Sequence, residues 1–345
     1  MTVHCFTSIS YSYLNRARVL GETLKRHHPE WTLWLCITDK EPEGFTFNVA
    51  DEPYDEVLFA GDLDIPNIQA WLFKHDVVEA CTAVKGLVLE RLTQSGAEKI
   101  FYIDPDIAIF ASLQPMVEML DDASVLLTPH QLEPDHEIQS IYDNEICSLS
   151  HGTYNLGFVA IRNDNVGRAF ARWWCDRCTR FCYDERDKGL FVDQKWCDLV
   201  PAFFENVRIV RDPGYNVASW NLNKRKIDIT GDGQILINGT FPLRFYHFTK
   251  LGPIGDTMTR RYAGDNVEVY ELWAWYKRKI DALTDPRIPN GWWHYGYYSN
   301  NVPIPKEARV LYRYREDLRS AFPNPFDASQ GGYLAWYEND ITVSA

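Results

Sequence analysis

The feature that most restricts the fold is an alternation of two hydrophobic periods along the first part of the chain. "VHCFTSIS" (3–10) and "WTLWLCIT" (31–38) are apolar runs of strand length, as expected of strands buried on both faces. "NRARVLGETLKRH" between them reads as a helix. "HDVVEACTAVKGLVLERLTQSG" carries Val77, Cys81, Val84 and Val88 on one helical stripe and stops near Gly96. "KIFYID" is again a strand, "LQPMVEMLDD" a short helix and "SVLLTP" a strand. This rhythm predicts an α/β fold with a single Rossmann-like, mostly parallel sheet flanked by helices.

The middle of the chain is mixed. "YNLGFVAIRN" reads as a strand and "NVGRAFARWWCDRC" as a helix starting near Asn163 or Asp164. "FVDQKWCDLVPAFF" reads as helical up to Pro201, and "QILIN" and "LRFYHF" as strands. From about Leu251 the texture changes. "VEVYELWAWYKRKIDAL" and "KEARVLYRYREDLRSAF" predict two helices joined by the aromatic connector "PNGWWHYGYYSNNVPIP". The expected organisation is one α/β domain over 1–255, divided near residue 130, followed by a helical extension over 256–345.

The net charge of -13 disfavours nucleic acid and unaided binding to anionic lipid. The two basic stretches, "LNKRK" and "TRRY", read as solvated loops. No run is long enough to span a membrane, so any membrane association would be peripheral. The opening "MTVHCFTSIS" lacks the basic start and apolar core of a signal peptide. The 8 cysteines show no disulfide-like framework, and Cys175, Cys178 and Cys182 fall on one helical face, as core packing requires. Together these predict a cytoplasmic protein, which makes the sequon at Asn238 a chance match.

"EKIFYIDPDIAIF" places Asp104 and Asp106 one residue apart where a predicted strand ends. Residues i and i+2 of a strand share a side, and two bare carboxylates so close repel unless a divalent cation sits with them. Ligands of open α/β sheets bind beyond the carboxyl ends of the strands. A cation held there by hard oxygen ligands would in turn hold phosphate oxygens. Asp-Pro-Asp is also a good turn sequence.

"EKIFYIDPDIAIF" resembles the D-x-D segment of glycosyltransferases with the GT-A fold. Further segments occur in that family's order. "TSISYSYLNRARVLGETLKRHHPEWTLWLCITD" resembles its first β-α-β unit, "GTYNLGFVAIRN" the strand lining the sugar pocket, "FVDQKW" the Asp-Gln segment of family 8-type retaining enzymes, and "FYHFTKLGP" the late His-Phe region. The resemblance covers roughly 3–255. "NNVPIP" and "NPFD" in the tail look like bacterial polysaccharide-building members. It implies a GT-A catalytic domain over 1–255, its nucleotide-sugar half about 1–130 and its acceptor half about 131–255.

The resemblance implies a role for each matching residue. Asp104 and Asp106 hold Mn2+ or Mg2+ and the donor diphosphate, Asp104 also touching ribose. His247 completes the metal site, although a lone histidine after a strand also reads as a hydrogen-bonded core residue. Lys250 meets the leaving phosphate, but the family's Lys-Pro-Trp ending is "TKLGP" in this chain, so a plain surface lysine is an equal reading. Asp193 and Gln194 lie by the reacting carbon or the acceptor hydroxyl; Asp193 would be the base of an inverting enzyme, while the resemblance favours retention. Asn155 and Gly157 let the sugar approach the strand, or mark a bulge. Lys85 reaches the donor or is a surface lysine. Thr7, Ser8, Tyr13 and Asp39 are candidates for base and ribose contacts. "GWWHYGYY" stacks an acceptor sugar or packs the extension.

The implied activity is metal-dependent transfer of a sugar from a nucleotide diphosphate-sugar, UDP-linked by preference, to a glycan or lipid-linked glycan. A sugar nucleotidyltransferase is the enzyme alternative, but no glycine follows the first strand. A non-catalytic carbohydrate-binding protein would suit the 14% aromatic content and would not need the paired aspartates. A dehydrogenase is disfavoured by the absence of G-x-G-x-x-G.

Overall fold

The computed structural model describes residues 2–344. In chain order its first strands are β1 (Val3–Ile9), β2 (Thr32–Ile37), β3 (Glu56–Phe59), β4 (Lys99–Ile103), β5 (Ile107–Ile109), β6 (Val125–Pro129) and β7 (Tyr154–Arg162). The central seven-stranded sheet has the order β3-β2-β1-β4-β7-β6, closed at the far edge by the strand Val207–Ile209. Neighbours are parallel, except that β7 runs antiparallel to both β4 and β6. The mostly parallel α/β sheet expected from the sequence is therefore present.

Phe6 of β1 and Ile100 and Tyr102 of β4 enter the core on one face of the sheet. Cys5, Ile9, Phe101 and Ile103 enter it on the other. Two buried faces explain why these strands are unbroken apolar runs rather than alternating ones. α1 (Leu14–His27) covers the second face through Leu14, Ala17, Leu20 and Leu24, beside α4 (Gln114–Asp122). The first face is covered by α2 (Ile68–Phe73), α3 (Val77–Leu92) and the helix Asn165–Phe181.

α3 begins at a reciprocal cap. Glu79 N donates to Asp76 Oδ1 at 2.8 Å, and Asp76 N donates to Glu79 Oε2 at 2.9 Å. The helix Asn165–Phe181 begins where Asp164 Oδ1 accepts from Gly167 N at 2.8 Å. The two helices cross closely at Gly86, where a Cβ would lie 2.7 Å from Cys175 Cα. Cys175, Cys178 and Cys182 are buried in that contact, and all eight cysteines are free thiols.

A smaller sheet fixes the geometry beyond β4. The strand Phe245–His247 pairs antiparallel with β5 and parallel with Val217–Ala218, which sets His247 opposite Ile107. The helices Pro253–Ala263 and Val267–Ala282 pack behind it, with Phe248 stacked on Tyr276 at 3.9 Å. The tail returns to α2, where Phe73 meets the rings of Tyr312, Phe326 and Tyr333. Buried Arg313 anchors it, donating to Glu79 Oε2 and Glu185 Oε1 at 2.7 Å each. Among the described residues no helix is long and apolar enough to cross a membrane.

Two expected helices differ. "KEARVLYRYREDLRSAF" forms Lys306–Tyr314 and Glu316–Ala321, because Arg315 leaves the helical region at φ -103 and ψ 104. The stretch leading to Pro201 is a 3-10 turn, Lys195–Leu199, and then a short helix, Val200–Phe203. An earlier start is blocked by Val192, whose φ of 39 is left-handed. Pro201 sits in the first turn of the short helix, where its missing N–H leaves no bond unmade.

Substituting Gly86→Ala drives a methyl into the backbone of the crossing helix. We expect it to lower unfolding stability in urea by about 1–3 kcal/mol, despite the better helix propensity of alanine. Gly61→Ala, with open space around the new Cβ, should stay within about 0.5 kcal/mol of the parent.

Candidate metal and substrate site

Asp104 and Asp106 occupy a tight turn between β4 and β5 rather than a strand. Ile107 N donates to Asp104 O at 3.1 Å, closing the turn, and Asp104 N donates to Gly157 O at 2.8 Å. Asp-Pro-Asp therefore acts both as a turn and as a pair of convergent carboxylates. Phe248 N donates to Asp106 O at 2.8 Å, locking the turn to the strand that carries His247. His247 Nε2 lies 3.0 Å from Asp106 Oδ1 and 3.7 Å from Asp104 Oδ2. One ligand atom from each of the three residues falls within 4.8 Å of the others.

The imidazole is fixed from behind. Its Nδ1 is 3.1 Å from Asn155 Oδ1, so an Nδ1–H donated to the amide leaves Nε2 facing the carboxylates. Trp220 meets the ring edge-on with centroids 5.6 Å apart. Gly157 makes the approach possible: a Cβ there would stand 2.6 Å from His247 Cε1 and 2.8 Å from Asn155 Oδ1. The missing side chain thus seats the histidine.

Lys85 joins this cluster to Asp193. Its ammonium lies 3.1 Å from Asp104 Oδ1, 3.0 Å from Asp193 Oδ2 and 4.3 Å from the centroid of the Tyr102 ring, and it donates to Leu156 O at 3.1 Å. The Tyr102 hydroxyl donates to Asp104 Oδ1. Lys85 and Asp193 are both buried. Burial works against the charge on Lys85, but Asp104 and Asp193 outweigh it and hold the pKa well above the ordinary value. Burial pushes Asp193 up to about 6, against the pull of Lys85. Asp193 follows Val192, a β-branched residue at φ 39, a conformation costing on the order of 1–3 kcal/mol.

Three carboxylates against the Lys85 ammonium and at most one imidazolium, that of His247, leave the cluster with an excess of negative charge that a divalent cation would balance. Two carboxylates and an imidazole suit Mn2+ or Mg2+ better than a soft metal. In octahedral coordination neighbouring ligand atoms stand ~3 Å apart, the spacing already held by His247 and Asp106. The residues present therefore fit a divalent cation.

The site is a cleft of about 300 Å³ at the carboxyl end of β4. It gathers Asp104, Asp106, His247, Lys85, Asn155, Gly157, Asp193, Gln194 and the exposed Lys250. Gln194 Oε1 accepts from Leu156 N at 3.2 Å and its Nε2 donates to His151 O at 3.1 Å, so its amide braces the wall. Four sequence candidates lie outside the lining. Thr7 is buried, and Ser8 Oγ donates to Cys81 O at 2.7 Å. Tyr13 lies under the Arg16 guanidinium at 4.2 Å. Asp39 accepts from the backbone N–H groups of Tyr11 (3.2 Å), Lys40 (2.9 Å) and His294 (2.8 Å), and burial nonetheless pushes its pKa up to about 7.

Sequence reasoning passed over His130, Gln131 and Trp220, which also line the cleft. His130 and Gln131 follow β6 directly, so the rule that ligands gather beyond strand ends would have found them. Trp220 carries no such signal. Burial pushes His130 down to about 4, so it is neutral at physiological pH.

No family model matches the chain. Among curated proteins, the uncharacterized protein YfnF of Bacillus subtilis is 33% identical over 179 residues, covering 51% of this chain and 57% of YfnF. The matched part thus spans little more than half the length of that relative. The uncharacterized protein YfnD of the same organism is 26% identical over 329 residues, covering 94% of this chain and 93% of YfnD. Among solved structures, the galactosyltransferase LgtC with donor and acceptor sugar analogs is 14% identical, with a TM-score of 0.47, covering 85% of this chain and 99% of that one. Mouse xyloside xylosyltransferase 1 is 13% identical, with a TM-score of 0.41, covering 73% and 98%. Likenesses this loose carry no argument, and the functional case rests on the chain's own residues.

Burial lowers the pKa of His247, but Asp106 and Asp104 outweigh burial and set it above the ordinary 6.5. A cation must displace that proton. Cation affinity should therefore rise as pH climbs through and past 6.5, with up to one proton released per ion at the acid end. Titration calorimetry of Mn2+ in two buffers of different ionisation enthalpy measures the proton count. Affinity that does not change between pH 6 and 8 would contradict this assignment.

Proposed function

We propose that the protein is a metal-dependent glycosyltransferase of the GT-A type, moving a sugar from a nucleotide diphosphate-sugar, UDP-linked by preference, to a glycan or lipid-linked glycan. The observation that carries this reading is the convergence of Asp104, Asp106 and His247 on one point in the cleft beyond the central strand. Asp104, Asp106 and His247 would hold a Mn2+ or Mg2+, whose positive charge would offset the charge that develops on the leaving diphosphate.

The chain's own residues supply the rest. Asp104 and Asp106 orient the diphosphate end of the donor. Lys85, charged and buried, keeps Asp104 in place and adds a positive field to the pocket. Lys250 brings a second positive charge to the cleft rim, where the leaving phosphate would pass. Asn155 serves His247 first, and its remaining amide capacity faces His130 at 3.4 Å.

Retention of anomeric configuration suits this site. Asp193 is 2% exposed and lies 3.0 Å from Lys85, which leaves it poorly placed to take a proton from an acceptor hydroxyl. The leaving phosphate is then the natural proton acceptor. Free thiols throughout support a cytoplasmic location.

Thermal shift against a panel of nucleotide sugars, with and without MnCl2, tests the reading. One donor should raise the melting temperature by several degrees only when metal is present, and Asp106→Ala should abolish that rise. Stabilisation that is equal without metal, or retained in Asp106→Ala, would overturn the reading. With the donor known, Lys250→Ala should lower kcat on the order of 10²-fold with little change in KM.

A further inference from the structure

A second cavity, of about 710 Å³, lies between the C-terminal extension and the main domain. It lies within the size range of small-ligand sites. Its lining shares no residue with the metal cleft. Six rings lie in its lining: Trp292, His294, Tyr295, Tyr297, Tyr298 and Phe326. Tyr295 and Phe326 form a buried floor with centroids 5.5 Å apart. Tyr297, at 45% exposed, presents its ring to solvent at the rim.

The rim is held rigid before any ligand arrives. Trp292 Nε1 donates to Lys40 O at 2.8 Å, which fixes the indole. His294 N donates to Asp39 Oδ1 at 2.8 Å, tying the connector to the end of β2. Tyr298 N donates to Val302 O at 2.9 Å, Ile304 N to Gly296 O at 3.0 Å and Ser299 N to Phe326 O at 2.8 Å. A platform ordered in advance spares a ligand the cost of ordering it.

The polar part of the lining is equally selective. Gln69, Asn290, Asn301 and Asn324 face the cavity, and each amide offers both donors and an acceptor. In a chain of net charge -13, no carboxylate among the described residues lines this cavity, and Lys40 is the one lysine or arginine among them that does. Flat rings suit the C–H faces of a pyranose, and amides suit its rim of hydroxyls. A nucleic-acid base would stack as well, but a nucleotide brings phosphates that a single lysine serves poorly.

We infer that this cavity is a saccharide-binding site, separate from the metal cleft, for a neutral stretch of a glycan chain. The inference stands on the cavity itself and does not depend on the proposed transfer reaction. A glycan held here would be tethered to the protein by the C-terminal extension.

The test uses the full chain on a printed array of oligosaccharides, followed by tryptophan-fluorescence titration with any saccharide retained. Trp292→Ala combined with Tyr297→Ala should weaken binding at least about tenfold, since both substitutions remove a stacking face. Trp292→Phe, which keeps a flat ring, should restore most of it in the single variant. UDP with Mn2+ should not displace the saccharide, and any metal-dependent donor stabilisation should survive the double substitution. Retention of no saccharide by the parent protein, equal binding by the double variant, or displacement by UDP with Mn2+ would overturn the inference. Loss of donor stabilisation in the parent alone would instead count against the transferase reading.

Discussion

The structure turns on a concentration of charge in a place that would otherwise be apolar. Asp104 and Asp193 flank one ammonium, that of Lys85, and Asp106 meets His247 beside them, beyond the end of a central strand whose flanks are fully packed. In so low a dielectric an unbalanced carboxylate is expensive. The arrangement persists because each charge has a partner: Lys85 answers Asp104 and Asp193, and His247 answers Asp106. The remaining excess of negative charge marks the place for a cation.

Much of the fold serves to bring these groups together. Asp104 and Asp106 are separated only by Pro105, but His247 arrives from a distant strand by pairing with β5. The close approach of β7 to that strand needs Gly157 to have no side chain. Lys85 projects from α3, whose first turn is capped by Asp76 and Glu79. Glu79 in turn meets Arg313 of the C-terminal extension at 2.7 Å. The tail is thus coupled by a buried ion pair to the helix that carries Lys85. Glu79 serves both roles, and this gives the extension a physical reason to be rigidly docked.

The sheet was legible in the sequence because its strands are buried on both faces and therefore stand out as unbroken apolar runs. Asp104 and Asp106 were legible through strand-end logic, although the reason first given, two residues on one side of a strand, was not the operating one; a turn aims them instead. His247 needed the family resemblance, since nothing local distinguishes it from a core histidine. The break at Arg315 and the left-handed Val192 were not legible, because both interrupt a good helical pattern with no local sequence signal of the break. The roles of Gly86 and Gly157 were equally hidden: what a glycine makes room for depends on a neighbour distant in sequence.

The central claim is that Asp104, Asp106 and His247 together hold a divalent cation. Pulsed electron paramagnetic resonance of Mn2+ bound to the protein reads its ligands directly. A nitrogen hyperfine coupling from a single imidazole, present in the parent chain and absent in His247→Asn, is the predicted result. Bound manganese with only oxygen ligands, or a nitrogen coupling that survives His247→Asn, would contradict the account.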